Sequence, residues 1–113
     1  MELNKGDIVL VNFNPTKGAE IGKYRPAIIV SATLDNQTLP TLMVIPLSTH
    51  LVEQAEPYRV RIPARAGLKQ ESDACINEVR ALSKSRVQQH LSTVTAAELK
   101  ILTECLCQLV KTD

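Results

Sequence analysis

The chain changes its hydrophobic period once, about two thirds of the way along. Before that point apolar residues either alternate with polar ones or come in short blocks, the patterns of half-buried and fully buried strands. Residues 8–13 alternate behind Lys5-Gly6-Asp7. Residues 26–31 form an unbroken apolar run, which predicts a strand covered on both faces. Residues 41–45 are a β-branched apolar run that Pro46 is expected to stop. Residues 58–62 alternate, which turns Arg59 and Arg61 toward water, and Pro63 ends them. Residues 72–76 and 78–82 read as one or two short strands with a break near Asn77. Asp35-Asn36-Gln37 and residues 64–69 are turns, the latter around Gly67.

The last third reads differently. Residues 85–91 are read as one or two helical turns. Thr95-Ala96-Ala97-Glu98 is a capping box, a threonine that accepts from the first turn and a glutamate that reaches back. Behind it Leu99, Leu102, Leu106 and Leu109 recur at spacings of three and four, widened by Ile101, Cys105 and Val110. Such a stripe must be buried, so the helix is expected to lie on the sheet. Five to seven short strands with turn-rich connections and one terminal helix predict an α+β, mainly β protein, a small antiparallel barrel carrying a C-terminal helix. The 113 residues are enough for one such domain and its core.

Composition narrows the partners. One Phe, two Tyr and no Trp leave an aliphatic core and argue against a surface that binds by stacking on several rings. The net charge of +1 means that any nucleic-acid contact has to come from local clusters of Lys and Arg. Cys75, Cys105 and Cys107 show no C-x-x-C and no Cys/His spacing, so they read as buried reduced thiols and not as a zinc site. No apolar leader and no run near the roughly 20 residues of a membrane span are visible, which predicts a cytoplasmic protein.

No P-loop, G-x-G-x-x-G, G-x-S-x-G or H-E-x-x-H occurs, His50 and His90 have no cysteine near them, and the acids are scattered. Metal-free, cofactor-free chemistry is the expectation. Three features remain. Glu20 and Arg25 lie across Gly22, on the far side of a polar segment between the first two strands. Pro46-Leu47-Ser48-Thr49 puts two alcohols where the third strand leaves the sheet. Lys17, Lys23, Arg59, Arg61, Arg65, Lys69, Arg80, Lys84 and Arg86 scatter cations around them. Each alone is ordinary surface, turn or ion-pair chemistry. Together they describe a phosphodiester site: a guanidinium to neutralise a phosphoryl oxygen, alcohols to donate to it, and cations for the flanking phosphates.

The block Gly6–Ser31, G-D-I-V-L-V-N-F-N-P-T-K-G-A-E-I-G-K-Y-R-P-A-I-I-V-S, resembles the opening of the MazF/PemK/Kid toxins of bacterial toxin–antitoxin modules. Met43 to Thr49 resembles the family's apolar strand with Pro-x-Thr/Ser, and Cys75 to Val87 its third, basic block. The resemblance implies a barrel of the type shared with the CcdB gyrase poison, usually a homodimer. It implies a metal-independent endoribonuclease that cuts single-stranded RNA at a short sequence. The 2′-hydroxyl attacks the adjacent phosphorus, leaving a 2′,3′-cyclic phosphate and a 5′-hydroxyl. The family's arginine falls on Arg25, its threonine on Ser48 with Thr49 adjacent, and its loop glutamate on Glu20. Lys17, Lys23, Arg59, Arg61, Asn77 and Arg80 are then the expected RNA contacts, with segment 14–24 expected to order over RNA. The Asp-Gln pair of the third block is Asn77-Glu78 here, so Asn77 cannot supply an acid–base group and the general base is left open. A cognate antitoxin with an acidic segment is the implied protein partner. The competing reading is a non-enzymatic binder on the same barrel, a gyrase poison of the CcdB type or an SH3-like interaction module.

Overall fold

The computed structural model describes residues 1–13 and 24–111. The chain runs β1 (Asp7–Asn12), β2 (Tyr24–Ile29), α1 (Thr33–Thr38), β3 (Thr41–Ser48), β4 (Arg59–Ile62), β5 (Ser72–Cys75), β6 (Arg80–Ser83), β7 (Val87–Thr93) and α2 (Ala96–Val110). Short 3-10 turns at Ile76–Glu78 and Lys84–Arg86 flank β6. All strand pairs are antiparallel, in the order β4-β5-β3-β2-β1-β7, with β6 also on β3. The mainly β architecture with a C-terminal helix is the one the period change predicts.

Alternation divides the apolar residues between two clusters. Ile8, Ile28, Ile45, Leu47, Ile62 and Ile76 face α2, which contributes Leu102 and Cys105. Val9, Val11, Ala27, Ile29, Leu42 and Val44 form the second cluster on the other face. Ala27, Ile28 and Ile29 are fully buried, so β2 is covered on both sides as its unbroken run predicts. The capping box on α2 forms as expected: Glu98 N–H donates to Thr95 Oγ1 and Thr95 N–H to Glu98 Oε1. Leu99, Leu106 and Leu109 pack half-buried on the first cluster, whereas Ile101 and Val110 face solvent.

Four local expectations are corrected. Asp35-Asn36-Gln37 is not a turn but the middle of α1, because Asn36 is buried and donates from Nδ2 to the carbonyls of Leu3 and Ser31. Pro46 does not end β3. It pairs with Ala27 and lies between Val44, which pairs with β6, and Leu47, which pairs with β5. A residue without an N–H is tolerated at that gap in the ladder. Residues 85–91 are not helical beyond the 3-10 turn; Val87 onward is β7, held by β1. Cys75 and Cys105 are buried, but Cys107 is exposed because two residues along a helix is more than half a turn.

The two ends of the strand order meet through the β4–β5 connection. Arg65 there donates to Thr93 O at 3.2 Å and grips Glu98 with two 2.6 Å bonds, joining β7 and the start of α2. Gly67 lies so close to β7 that a Cβ would sit 1.7 Å from Leu91 O, and its φ is +89°. Only glycine meets both demands.

Arg59 and Arg61 do not simply face water. Asp73 on β5 is buried, and its carboxylate draws both guanidiniums onto it: Arg61 Nε at 2.7 Å and Arg59 at 3.4 Å. The same carboxylate accepts Val52 N–H at 2.8 Å, which pins the β3–β4 loop. A buried charge without partners is costly, so this acid sets where the two arginines go.

Three stability outcomes follow. Gly67→Ala is expected to destabilise the fold by more than about 2 kcal/mol, read as a lowered urea midpoint. For Asp73, burial pushes the carboxyl up, but the bond from Arg61, the Val52 N–H and Arg59 outweigh it and hold the group below its usual value. Arg65 likewise holds Glu98 low. Carboxyls depressed in the folded state stabilise fully above their unfolded value, about 4, and lose that contribution as pH falls through the folded value. Urea midpoints measured from about pH 7 to about pH 3 should therefore fall steadily below about pH 4. Asp73→Ala should start roughly 2–4 kcal/mol lower at neutral pH and show a flatter acid decline.

Candidate active site

Arg25 enters the site from the exposed end of β2. It pairs with Val11 on β1, so it shares the face of the second cluster. Phe13, two residues beyond Val11, packs against that cluster as well. On the other side the β2–β3 register runs Ile29↔Val44, Ile28↔Ile45, Ala27↔Pro46 and ends there, as Leu47 and Ser48 pair with Ala74 and Asp73 on β5. Arg25, Phe13, Pro46, Glu78 and Arg80 line one cleft of about 230 Å³. The Arg80 guanidinium stands 5.6 Å from the Phe13 ring centroid, within cation–π range. The cleft is smaller than those that enclose a drug-sized ligand, and it suits a chain laid across it.

The described arginines fall into two groups. Arg59 and Arg61 are committed to Asp73, and Arg61 also lies 3.3 Å from Glu53. Arg65 is committed to Glu98, and Arg86 donates to Asn12 O at 3.0 Å. Arg25 and Arg80, by contrast, meet no carboxylate within ion-pair distance among the described residues, and both line the same cleft. Two larger clefts hold less relevant chemistry. One of about 570 Å³ lies between the N-terminal residues, α1 and Lys84. One of about 360 Å³ contains Arg59 and Arg61, whose charge is already balanced by Asp73 and Glu53.

The remaining expected site residues are distributed as follows. Ser48 ends β3, and its Oγ accepts His50 N–H at 3.1 Å. Thr49 is exposed and lines a different cleft, of about 210 Å³, with Pro26, Leu47 and Gly67. Pro26 and Leu47 alternate with Arg25 and Ser48, which puts that cleft on the opposite side of the β2–β3 pair. Asn77 is exposed on the 3-10 turn after β5, beside Glu78. Glu20, Lys17 and Lys23, and most of segment 14–24, lie outside the described residues. Phe13 and Glu78 are the cleft residues that the sequence reading did not select. Phe13 was within reach, since Val9, Val11 and Phe13 alternate onto one face. Glu78 was not, because a 3-10 turn breaks the period on which such counting depends.

The family model for the "PemK-like, MazF-like toxin of type II toxin-antitoxin system" matches residues 4–110. The chain is 29% identical over 110 residues to a protein of Mycobacterium tuberculosis named endoribonuclease MazF9, covering 92% of each chain. It is 25% identical over 99 residues to endoribonuclease MazF of Staphylococcus saprophyticus, covering 87% of this chain and 82% of that one. Among solved structures, a MazE-MazF crystal structure from Deinococcus radiodurans superposes with a TM-score of 0.82 at 24% identity, over 100% of this chain and 99% of that one. The Mycobacterium tuberculosis toxin MazF-mt6 does so with a TM-score of 0.78 at 19% identity, over 95% and 98%. These structural likenesses carry the fold, and the sequence match over nearly the full length carries the family. The chain belongs to the PemK-like, MazF-like toxins of type II toxin–antitoxin systems.

Proposed function

We propose that this MazF-type endoribonuclease toxin cuts single-stranded RNA without a metal, by attack of the 2′-hydroxyl on the adjacent phosphorus. The products are a 2′,3′-cyclic phosphate and a 5′-hydroxyl. The observation that carries the reading is the pairing of Arg25 with Arg80 in one cleft, both free of carboxylate partners among the described residues while Arg59, Arg61 and Arg65 are engaged. A guanidinium holds its protons too tightly to be a good acid, so Arg25 acts by stabilising charge on the phosphorane. Ser48, two residues beyond the Pro46 that lines the cleft of Arg25 and so on the same face of β3, is better placed to donate to a phosphoryl oxygen than Thr49, which lines a different cleft. Arg80 and Asn77 contact RNA beside the cleft, with Lys17 and Lys23 on the flanking phosphates. Glu20 orients Arg25. Arg59 and Arg61, engaged by Asp73, hold the β3–β4 loop. The substrate is single-stranded because only unpaired bases offer their edges to so shallow a surface.

A cognate antitoxin fits the same cations. The Deinococcus radiodurans relative is a MazE-MazF complex, and an acidic peptide competes for Arg25 and Arg80 on the terms that a phosphate does. The protein acts in the cytoplasm, where its substrate is, as a homodimer. No helix among the described residues is long and apolar enough to cross a membrane.

The test is cleavage of a long transcript in EDTA, with fragment ends mapped. Wild-type protein should give 5′-hydroxyl ends at a recurring short sequence. Arg25→Ala should cut roughly 10²–10³-fold more slowly. An intact rate for that variant would remove Arg25 from the mechanism, and uncut RNA with wild-type protein would favour the CcdB-type reading.

A further inference from the structure

The cleft of Arg25 contains a carboxylate of its own, Glu78. It ends the 3-10 turn Ile76–Glu78, which follows β5. Ile76 is fully buried in the cluster under α2, and Val79 N–H donates to Ile76 O at 3.2 Å, so the turn is anchored from below while Glu78 is exposed. Arg25 reaches the cleft from β2, Pro46 from β3 and Arg80 from β6.

We propose that Glu78 is the general base that takes the 2′-hydroxyl proton, an assignment that rests on the ribonuclease reading above. In a ribonucleotide the 2′-oxygen and the phosphorus it attacks are close neighbours. A base for the one and a cation for the other therefore have to border the same small space, and Glu78 and Arg25 do. Asp73 is engaged by Arg59 and Arg61, Glu98 by Arg65, Glu53 by Arg61, and Asp7 lies 3.3 Å from His90; among the described residues Glu78 is the carboxylate that lines this cleft. Glu78 has no hydrogen-bond or ion-pair partner among the described residues. Asn77 beside it is an amide and cannot take a proton at neutral pH.

The step balances within the substrate and water. The proton passes from the 2′-oxygen to the Glu78 carboxylate as the O2′–P bond forms. The P–O5′ bond breaks, the 5′-oxygen takes a proton from water, and Glu78 returns its proton to water. Arg25 and Arg80 offset the charge of the phosphodiester, which would otherwise repel the carboxylate.

The titratable groups around Glu78 are Arg25 on β2, Arg80 on β6 and Cys75 at the end of β5. β4 adds Arg59, already held by Asp73, and α2 meets the turn's core side with Leu102 and Cys105.

The experiment uses the full chain and an RNA oligonucleotide spanning a cleavage site mapped on a long transcript. Its partner probe carries a 2′-deoxy sugar at the cleaved position and reports binding alone. Glu78→Gln should lower the single-turnover rate roughly 10²–10⁴-fold. It should bind the 2′-deoxy probe as tightly as wild type or more so, and it should lose the acidic limb of the pH–rate profile. Glu78→Asp should recover part of the rate, and the urea midpoints of both variants should match wild type. A Glu78→Gln protein that keeps the wild-type rate and pH profile overturns the assignment while leaving the ribonuclease reading standing. So does a profile whose acidic limb disappears in Glu20→Gln and persists in Glu78→Gln. Wild-type protein that cuts no RNA overturns both.

Discussion

Everything at the candidate site depends on β2 being sealed on both faces. Ala27, Ile28 and Ile29 have no solvent exposure, with one cluster on each side of the strand. A strand held this way cannot slip by one residue, because a slip would send every side chain into the wrong cluster. The register with β1 and β3 is therefore fixed, and with it the placement of Arg25 beside Val11. The guanidinium sits two residues beyond the last sealed position, where the backbone is still set by the ladder but the side chain is free to meet solvent. Rigid support under an exposed charge is what preorganised electrostatic stabilisation requires.

Ion pairing then decides which cations are available. Asp73 is nearly inaccessible to solvent, so leaving it unpaired would cost far more than any surface ion pair returns. It collects Arg59, Arg61 and Val52 N–H, and the β3–β4 loop takes its course from that. Arg65 does comparable work at the start of α2, where its bidentate grip on Glu98 coincides with the capping box. Glu98 thus serves the helix N-terminus and the closure of the strand order at once. Among the described residues, Arg59, Arg61 and Arg65 build the fold through carboxylates, Arg86 holds the backbone at Asn12, and Arg25 and Arg80 converge on the cleft beside Phe13.

Much of this was legible in the sequence, and the limits have physical causes. The double-sided burial of β2, the capping box and the run of leucines are local patterns with one stable interpretation each, and they stand, whereas Ile101 and Val110, expected to widen that stripe, face solvent. Arg25 and Arg80 were identified together with Arg59 and Arg61 because all four look alike as exposed cations on or near strands. What separates them is Asp73, twelve and fourteen residues away from its partners, and strand pairing alone brings them together. Pro46 misled because a proline normally ends a strand, yet it falls at the one place where β3 changes partners. Residues 85–91 misled because Gln88, Gln89 and His90 are exposed on a strand paired with β1 alone, so no alternation of burial marks it.

The charge in the cleft bears on how selective the protein can be. Arg25, Arg80 and Glu78 sum to a single positive charge, matched to one phosphodiester, and the whole chain carries only +1. A protein of that charge gains little from long-range attraction to a polyanion, and binding that neutralises few phosphates depends weakly on salt. On the ribonuclease reading, affinity must then come from short-range contacts in the cleft where the Arg80 guanidinium stands over the Phe13 ring, and such contacts respond to the identity and pose of a nucleotide and not merely to its charge. If the protein cuts RNA as proposed, a weakly charged surface around a preorganised cleft favours reading a short sequence over degrading RNA at random.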